Sequence, residues 1–277
     1  MAPAVLLLLA ISAYPIVFQF LLSFTNLNLA FPAEAQRYFG NYPRLLADPR
    51  FWSSGVVLVK LWLGGLALTM LLGTAIALAA FRATFARRLM PVLILPMVAT
   101  PVVMAHFFQY LYSSDYGLIR FLLERVRLYP GFNISTQAGT VLYSLIVIDT
   151  WQWTPFVMLI VWAGLVSIPQ ELLDAVRVDG ASGAATLWHL ILPAVSGELA
   201  AAALFRTVEG LRAFVIIWGL TRGGPGTASE VTSIYIYNTA FRSLDLGYAA
   251  AQGMALLVFA LAVSLLLLRV VARTRAQ

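Results

Sequence analysis

Apolar residues in this chain come in six long blocks that are separated by shorter polar stretches. A helix of about 20 apolar residues crosses the ~30 Å hydrocarbon core of a bilayer, and it bonds every backbone group within its own segment. The pattern therefore predicts an all-α membrane protein with six transmembrane helices. The predicted spans cover residues 3–25, 52–81, 89–113, 138–166, 197–220 and 246–270.

The first block has two interpretations. It has no basic segment before it, and it stays apolar past Pro15 as far as Phe24. Both features favour a membrane span. The alternative is a secretory signal peptide, whose apolar core is shorter and follows basic residues.

Composition narrows the class of protein. The chain has 277 residues, of which 61% are hydrophobic and 11% charged, whereas soluble domains carry about 25% charged residues. It has no cysteine and only two distant histidines, which disfavours a thiolate site or a histidine-ligated haem or metal. Its single lysine, Lys60, is not in a Gly-Lys-Ser/Thr sequence, so the chain has no phosphate-binding P-loop. We expect no cofactor on this chain, and any ATP and Mg to bind a partner.

The distribution of arginines bears on orientation and on binding partners. Arginines are concentrated in segments 82–88 and 269–275, and the opposite loops hold more dispersed ones. Because basic residues stay on the cytoplasmic side of short loops, this density favours a cytoplasmic N-terminus. The arginines are not interleaved with aromatic residues, so the net charge of +6 does not indicate nucleic-acid binding.

Residues 167–195, between the fourth and fifth predicted spans, are too polar to cross the bilayer. Their pattern predicts two short helices: a Ser167/Gln170 capping box starts the first, Gly180 makes the turn, Ser182 caps the second and Pro193 ends it. The exposed apolar faces of such a pair indicate a docking surface. The alternative is an amphipathic helix pair that lies on the membrane.

The spacing within this segment resembles the EAA motif of ABC-importer permeases. Gly180 follows Asp174 by six residues, Leu190 comes ten residues later, and Leu192-Pro193 closes the pattern. The string LLDAVRVDGAS is similar to the carbohydrate branch of that family. Two residues depart from the motif, since Asp174 replaces its Glu and Val176 its second Ala.

This resemblance extends along most of the chain. Segments similar to sugar permeases include 39–42, 45–46, 48–52, 116–119, 221–226, 235–237, 240–241 and 245–248. The resemblance implies a type I ABC-importer permease fold, a single transmembrane domain over residues 1–277, and a location in a bacterial or archaeal cytoplasmic membrane. It also implies that 167–195 carries the coupling helix that docks into an ATPase subunit. The residues implied for coupling are Asp174, Ala175, Asp179, Gly180, Ala181, Leu190, Leu192 and Pro193.

Four charged residues fall within predicted spans. The fifth span contains Arg206, Glu209 and Arg212, and the fourth contains Asp149. Each would cost about 2.5–3.5 kcal/mol at a lipid-facing helix centre, so these side chains must face protein or water. The helical period places the three on one stripe, where Glu209 is predicted to bridge both arginines. They form either a buried network that fixes helix packing or part of a solute path.

Sugars need planar hydrogen-bonding groups for their hydroxyls and flat apolar faces for their C–H bonds. The fourth span offers both within a short stretch. In the related permease of the maltose transporter, the sugar site lies on the two spans that flank the EAA loop. The resemblance carries that site onto Asp149, Gln152, Trp153, Phe156, Arg206, Glu209, Gly210 and Ala213.

These observations predict the permease subunit of an ATP-driven carbohydrate importer. The implied partners are a second homologous permease, two ATPase subunits, an external solute-binding protein, membrane lipid and the sugar itself. One alternative is an ABC permease for another solute, such as glycerol phosphate or a polyamine. A secondary transporter is another alternative, although no inverted repeat with broken helices is found in the sequence.

Overall fold

The computed structural model describes residues 2–113, 115–126 and 137–275. This part of the chain is mostly helical, and its extended pairing consists of the two isolated bridges Thr25↔Arg37 and Asn28↔Asp245. The all-α prediction is therefore confirmed. The helices are α1 (Ala2–Leu22), α2 (Asn41–Leu46), α3 (Pro49–Arg82), α4 (Thr84–Leu93), α5 (Leu95–Val98), α6 (Pro101–Leu111), α7 (Leu118–Arg125), α8 (Ala138–Val166), α9 (Gln170–Val178), α10 (Gly183–Thr186), α11 (Leu192–Ala194), α12 (Ser196–Leu211), α13 (Val215–Leu220), α14 (Thr232–Phe241) and α15 (Leu246–Arg275).

Three of the predicted spans are single helices of membrane-crossing length. Within the described residues, α3, α8 and the Leu246–Arg269 part of α15 are long and apolar enough by themselves. Helix α8 is the most enclosed of the three. In its most apolar stretch of 18 residues, 61% of the residues are buried inside the protein, against 22% for α3 and 11% for that part of α15. Helix α8 is therefore the central element of the bundle.

The third and fifth predicted spans are interrupted, so the described residues do not confirm the predicted number of six transmembrane helices. The third consists of Arg88–Val98 and Pro101–Leu111, bent by 96°. Pro101 lacks an N–H and disfavours helix in the residue before it, and Thr100 is extended. The fifth ends as α12 at Leu211 and resumes as α13 at Val215. A second bent pair joins Gly183–Ala194 to Ser196–Leu211 at 64°, and counting each bent pair as one span gives up to five spans among the described residues by length and composition.

Helices α3 and α8 pack closely because glycines on α3 face α8. A Cβ at Gly64 would lie 2.8 Å from Ile146 Cδ1, and one at Gly73 would lie 2.6 Å from Val157 Cβ. Small residues let helix backbones approach closely, which is how helices associate in lipid. The same device brings α12 close to α3, since a Cβ at Gly210 would lie 2.9 Å from Trp62 Cδ1.

The segment 167–195 forms two short helical pieces, as predicted. Gly180 adopts φ +69° at the turn, a conformation that glycine takes at little cost. The Ser182 hydroxyl accepts a hydrogen bond from the Ala185 N–H at 3.2 Å, which confirms the predicted cap. The Ser167/Gln170 capping box is wrong: Ser167 donates to the Gly164 carbonyl at 2.8 Å, and Pro169 occupies the N-cap of α9.

Candidate functional site

An ion pair between neighbouring helices lies at the centre of the predicted site. Arg206 on α12 donates from Nη2 to Asp149 Oδ2 on α8 at 2.6 Å. The Arg206 side chain is 1% exposed and that of Asp149 is 21% exposed. The pair fits because Gly65 on α3 has no side chain, and a Cβ there would clash with Asp149 Oδ2. Three helices thus meet at one buried charge pair.

The remaining surroundings of Arg206 are polar on one side and aromatic on the other. Its Nε lies 3.5 Å from the Thr69 hydroxyl of α3, and its Cζ lies 5.2 Å from the centre of the Trp153 ring. Its Nη1 has no hydrogen-bond partner in the described part of the chain. A buried guanidinium N–H without a partner is costly, so this atom is an unsatisfied donor in the interior of the described part of the chain.

Glu209 pairs with Arg212, which corrects the prediction that it bridges both arginines. Arg212 Nη1 lies 3.4 Å from Glu209 Oε1, and the two side chains are 72% and 40% exposed. Helical spacing placed Arg206 and Glu209 on one stripe, but Arg206 instead turns towards Asp149 of the adjacent helix. The four charges therefore form two separate neutral pairs, one buried and one exposed.

Aromatic rings adjoin the buried pair. The rings of Trp153 and Phe156 meet edge to face at 5.9 Å, and Phe156 meets Phe205 of α12 in the same way at 5.9 Å. Trp153 and Phe156 are half-buried, while Phe205 is exposed. Helices α8 and α12 thus present aromatic faces beside the Asp149 carboxylate, which is the combination that sugar recognition requires.

Three residues of the predicted site lie apart from this aromatic face. Gln152 is buried, and its Nε2 lies 3.5 Å from the Ala99 carbonyl at the break between α5 and α6. Gly210 is buried against Trp62. Ala213 is half-buried in the break between α12 and α13, where its carbonyl accepts a hydrogen bond from the Ser233 hydroxyl.

A cavity of about 810 Å³ lies on the other side of α8. It is bordered by α3, α4, α5, α6 and α8, and its walls are almost wholly apolar; they include Leu72, Val103, Phe107 and Trp151. An apolar cavity offers sugar hydroxyls no partners. The aromatic face beside Asp149 is therefore the better candidate for a polar solute.

Residues implied for coupling lie on the surface at the α9–α11 turn. Asp174 accepts hydrogen bonds from Arg177 at 2.8 Å and from Gln170 at 3.2 Å. The other exposed members are Ala175, Asp179, Gly180, Ala181 and Pro193, while Leu190 and Leu192 are half-buried. The exposed apolar side chains of Leu172, Val178 and Trp188 lie in the same segment.

The sequence did not predict a charged network at the opposite end of the bundle. We call Arg44, Asp48, Arg50, Glu230, Tyr235, Asp245 and Tyr248 the outer network. Arg50 binds Glu230 in a bidentate pair with two contacts of 2.8 Å, and Asp48 accepts the hydroxyls of Tyr235 and Tyr248 at 2.7 and 2.5 Å. Arg44 pairs with Asp245 at 2.7 Å. Several members lie in the segments that resemble sugar permeases, and this overlap was the signal in the sequence that could have indicated the network.

Burial and hydrogen bonding together shift the pKa of two groups in this network. Burial raises the pKa of Asp48, but the hydroxyls of Tyr248 and Tyr235 and the N–H groups of Phe51 and Arg50 outweigh it, so the net shift is downward. Burial raises the pKa of Tyr235 to about 12, with a further contribution from its bond to the Asp48 carboxylate. Within this network, Asp48 is therefore an anion that accepts hydrogen bonds from neutral hydroxyls.

No group of three or more metal-ligating side chains occurs in the described ranges. The site's chemistry there rests on charged, amide and aromatic side chains. These groups can bind and release a solute, and the described part of the site contains no arrangement that resembles a nucleophile activated by a base.

Residues 69–276 match the family model described as "Binding-protein-dependent transport system inner membrane component". The trehalose permease SugA of Mycobacterium tuberculosis is 32% identical over 252 residues, which cover 90% of this chain and 80% of SugA. The sulfoquinovosyl glycerol permease SmoG of Agrobacterium fabrum is 31% identical over 278 residues, which cover 98% of this chain and 88% of SmoG. A trehalose/maltose permease of Thermococcus litoralis is 31% identical over 226 residues, which cover 81% and 75%.

The fold is similar to a solved structure of an ABC transporter. A chain of a bacterial alginate transporter, solved with a periplasmic protein that holds an alginate pentasaccharide, superposes with a TM-score of 0.82. The match covers 96% of this chain and 90% of that one at 20% identity. At this identity the likeness concerns the fold, and it confirms the predicted ABC-importer permease fold.

Proposed function

Because the chain belongs to the family of binding-protein-dependent transport system inner membrane components, we propose that it is the membrane-spanning subunit of an ABC importer for a carbohydrate. Relatives that are 31–32% identical carry trehalose, trehalose/maltose and sulfoquinovosyl glycerol in their names. The observation that carries the proposal is the aromatic face of α8 and α12 beside the Asp149–Arg206 pair. Within this one site, aromatic rings can pack against the C–H faces of a sugar, and a carboxylate can accept hydrogen bonds from its hydroxyls.

The charges of this site favour hydroxyls over phosphate. Arg206 is neutralised by Asp149 and Arg212 by Glu209, so the four side chains have no net charge. A phosphate ester would have to compete with a carboxylate for either arginine. A sugar hydroxyl can instead donate to the partly exposed Asp149 carboxylate, which leaves the pair intact.

In the proposed assembly, this chain forms a single permease domain and pairs with a second homologous permease in a bacterial or archaeal cytoplasmic membrane. Asp149, Trp153, Phe156 and Glu209 would face the space between the two permeases. Two ATPase subunits, which bind ATP and Mg, would dock on the 167–195 segment, and an external binding protein would deliver the sugar. Closure of the ATPase pair would move α9–α11, and through it α12, so that the central space opens to the other side.

Uptake by the reconstituted transporter tests the site. Trp153→Ala and Asp149→Ala should abolish sugar uptake but leave capture of sugar by the binding protein unchanged, because capture occurs on another polypeptide. Tyr143→Ala is the matched control, since Tyr143 is an exposed aromatic residue of the same helix outside the site. Normal uptake by the Trp153→Ala/Asp149→Ala double variant would show that these residues do not belong to the solute path.

The coupling role of segment 167–195 has its own test. Asp174→Lys, or Gly180→Pro at a residue with positive φ, should give an inserted permease that no longer retains the ATPase or no longer stimulates its hydrolysis. Asp115→Lys makes the same charge change at another exposed aspartate and should have no such effect. Wild-type co-purification and stimulated hydrolysis in both Asp174→Lys and Gly180→Pro would contradict the assignment.

A further inference from the structure

Four aromatic rings from α13, α14 and the residue before α13 form a continuous cluster. We call Phe214, Trp218, Tyr237 and Phe241 the aromatic platform. Phe214 and Trp218 are stacked, with ring centres 5.7 Å apart and an angle of 11°. Tyr237 lies 5.6 Å from Phe214 and 4.5 Å from Trp218, and Phe241 lies 5.0 Å from Tyr237. The four-residue spacing within each pair places both members on one face of their segment.

The platform is open to its surroundings. Phe214, Trp218 and Tyr237 are half-buried, and Phe241 is 61% exposed. An exposed guanidinium adjoins the rings, since Arg242 Cζ lies 5.4 Å from the centre of the Trp218 ring. Rings packed only as core would be enclosed. Here their partly exposed surface is combined with several N–H donors.

The platform adjoins the candidate site. Phe214 directly follows Ala213, and the Ser233 hydroxyl at the start of α14 bonds to the Ala213 carbonyl. Tyr235, two residues from Tyr237, belongs to the outer network. The platform therefore lies between the end of α12, where Glu209 and the C-cap residue Arg212 lie, and the outer end of the bundle.

We propose that the aromatic platform is an outer sugar subsite, which receives a pyranose ring before the ring reaches the site beside Asp149. This inference rests on the proposed carbohydrate function. The apolar face of a pyranose packs flat on aromatic rings, which contribute large apolar area at a fixed geometry, and Arg242 supplies donors to the hydroxyls at the edge of the ring. The competing explanation is a belt of aromatic residues at the membrane–water interface.

Transport stoichiometry separates the two explanations. The complete transporter is reconstituted in liposomes with its binding protein outside, and trehalose, maltose and sulfoquinovosyl glycerol are supplied in turn. The variants are then assayed with the sugar that the wild type takes up, and uptake and ATP hydrolysis are measured in the same experiment. Trp218→Ala and Tyr237→Ala should each lower uptake per ATP about tenfold, because each removes a ring from the platform, while stimulated hydrolysis persists.

Two further variants keep the test decisive if the alanine variants fold poorly. Arg242→Gln alters an exposed side chain and should lower uptake per ATP about threefold, because it removes guanidinium donors from the edge of the platform. Trp218→Phe keeps an aromatic face and should restore most of the uptake. Tyr143→Ala, a change at an exposed aromatic residue of a different helix, should leave uptake per ATP at the wild-type value.

Unchanged uptake per ATP in Trp218→Ala, Tyr237→Ala and Arg242→Gln would overturn the subsite and leave the proposed function standing. The platform variants and Tyr143→Ala could instead all lower the amount of inserted protein while uptake per ATP stays constant. That result would identify the rings as an interfacial belt and would also overturn the subsite. A wild-type transporter that takes up none of the three sugars would contradict the carbohydrate function, and the subsite would fall with it.

Discussion

Arg206 lies on helix α12 and Arg212 directly follows its end, and each arginine has one acidic partner. Arg206 reaches Asp149 on another helix and is almost fully buried, whereas Arg212 contacts Glu209 in the last turn of α12 and is mostly exposed. Two arginine–carboxylate pairs thus differ in their exposure to solvent, since one is buried and the other is exposed. Removing one partner from a buried pair leaves an uncompensated charge, which is costly, while exposed pairs contribute little because water replaces the partner.

The largest effect should come from breaking the buried pair. Asp149→Leu should lower the free energy of unfolding by about 3–5 kcal/mol, because Arg206 would keep its charge without a counter-ion. Unfolding of the purified permease in mixed micelles, with increasing denaturing detergent, measures the change. Glu209→Leu is the matched control on the exposed pair, with an expected loss below about 1 kcal/mol.

The double variant Asp149→Leu/Arg206→Met sharpens this prediction. Most of the lost stability should return, since no charge remains buried, while uptake should stay low because Asp149 belongs to the proposed site. A double variant no more stable than Asp149→Leu would show that burial of unpaired Arg206 is not the cause of the loss.

A smaller effect should follow from crowding the buried pair without changing any charge. Gly65→Ala places a Cβ against Asp149 Oδ2 and should destabilise the protein by about 1–3 kcal/mol, the usual range for overpacking. Gly55→Ala is the control in the same helix, because its Cβ would meet nothing within 4 Å. That control should be neutral or slightly stabilising, since alanine favours helix over glycine.

Equal stability of the Gly65→Ala and Gly55→Ala proteins in the same detergent titration would contradict the close contact between α3 and the Asp149 carboxylate. A normal uptake rate in Gly65→Ala would mean that the ion pair tolerates displacement by the added methyl group.

The sequence predicted those features of the fold that depend on a single segment of the chain. The long apolar runs of α3, α8 and α15 predicted helices there, because the length and composition of a span are properties of one segment. The break at Thr100-Pro101 was not predicted, although the proline was visible, because neighbouring helices decide whether a proline kinks a span or divides it. The turn at Gly180 was predicted because a glycine between two apolar periods is a local signal.

The candidate site shows the same limit. The helical period correctly placed Arg206 and Glu209 within one arc, but the choice of Asp149 as the partner of Arg206 depends on the packing of α8 against α12 and on the space at Gly65. The outer network joins the start of α3 to residues about 180 positions later, as in the Arg50–Glu230 pair. Spacing within a segment carries no information about such contacts.

The exposed pair should couple weakly in a double-mutant cycle. Glu209→Ala, Arg212→Ala and the double variant should give a coupling energy below about 1 kcal/mol in unfolding measurements, whereas the cycle for Asp149 and Arg206 should exceed about 2 kcal/mol. Uptake is measured in parallel, and Glu209→Ala should reduce it without a matching loss of stability. A coupling energy for Glu209 and Arg212 as large as that of the buried pair would remove the contrast between them.

The smallest effect concerns Asp48, a carboxylate that is half-buried like Asp149 but is held mainly by neutral hydroxyls. Since its folded-state pKa is lowered, the carboxylate stabilises the fold above the unfolded pKa of about 3.9, and this contribution disappears as the pH falls through the folded value. Tyr235 behaves in the opposite sense: with its pKa raised to about 12, its contribution is present below about pH 10 and is lost as the pH rises past about 12. The stability difference between the wild type and Asp48→Asn should therefore be largest near neutral pH and should shrink in acid, with Asp115→Asn as an exposed control whose difference stays small throughout. A difference that is constant between pH 3 and pH 7 would show that the charge of Asp48 contributes nothing, and that its contacts with Tyr235 and Tyr248 act through their geometry alone.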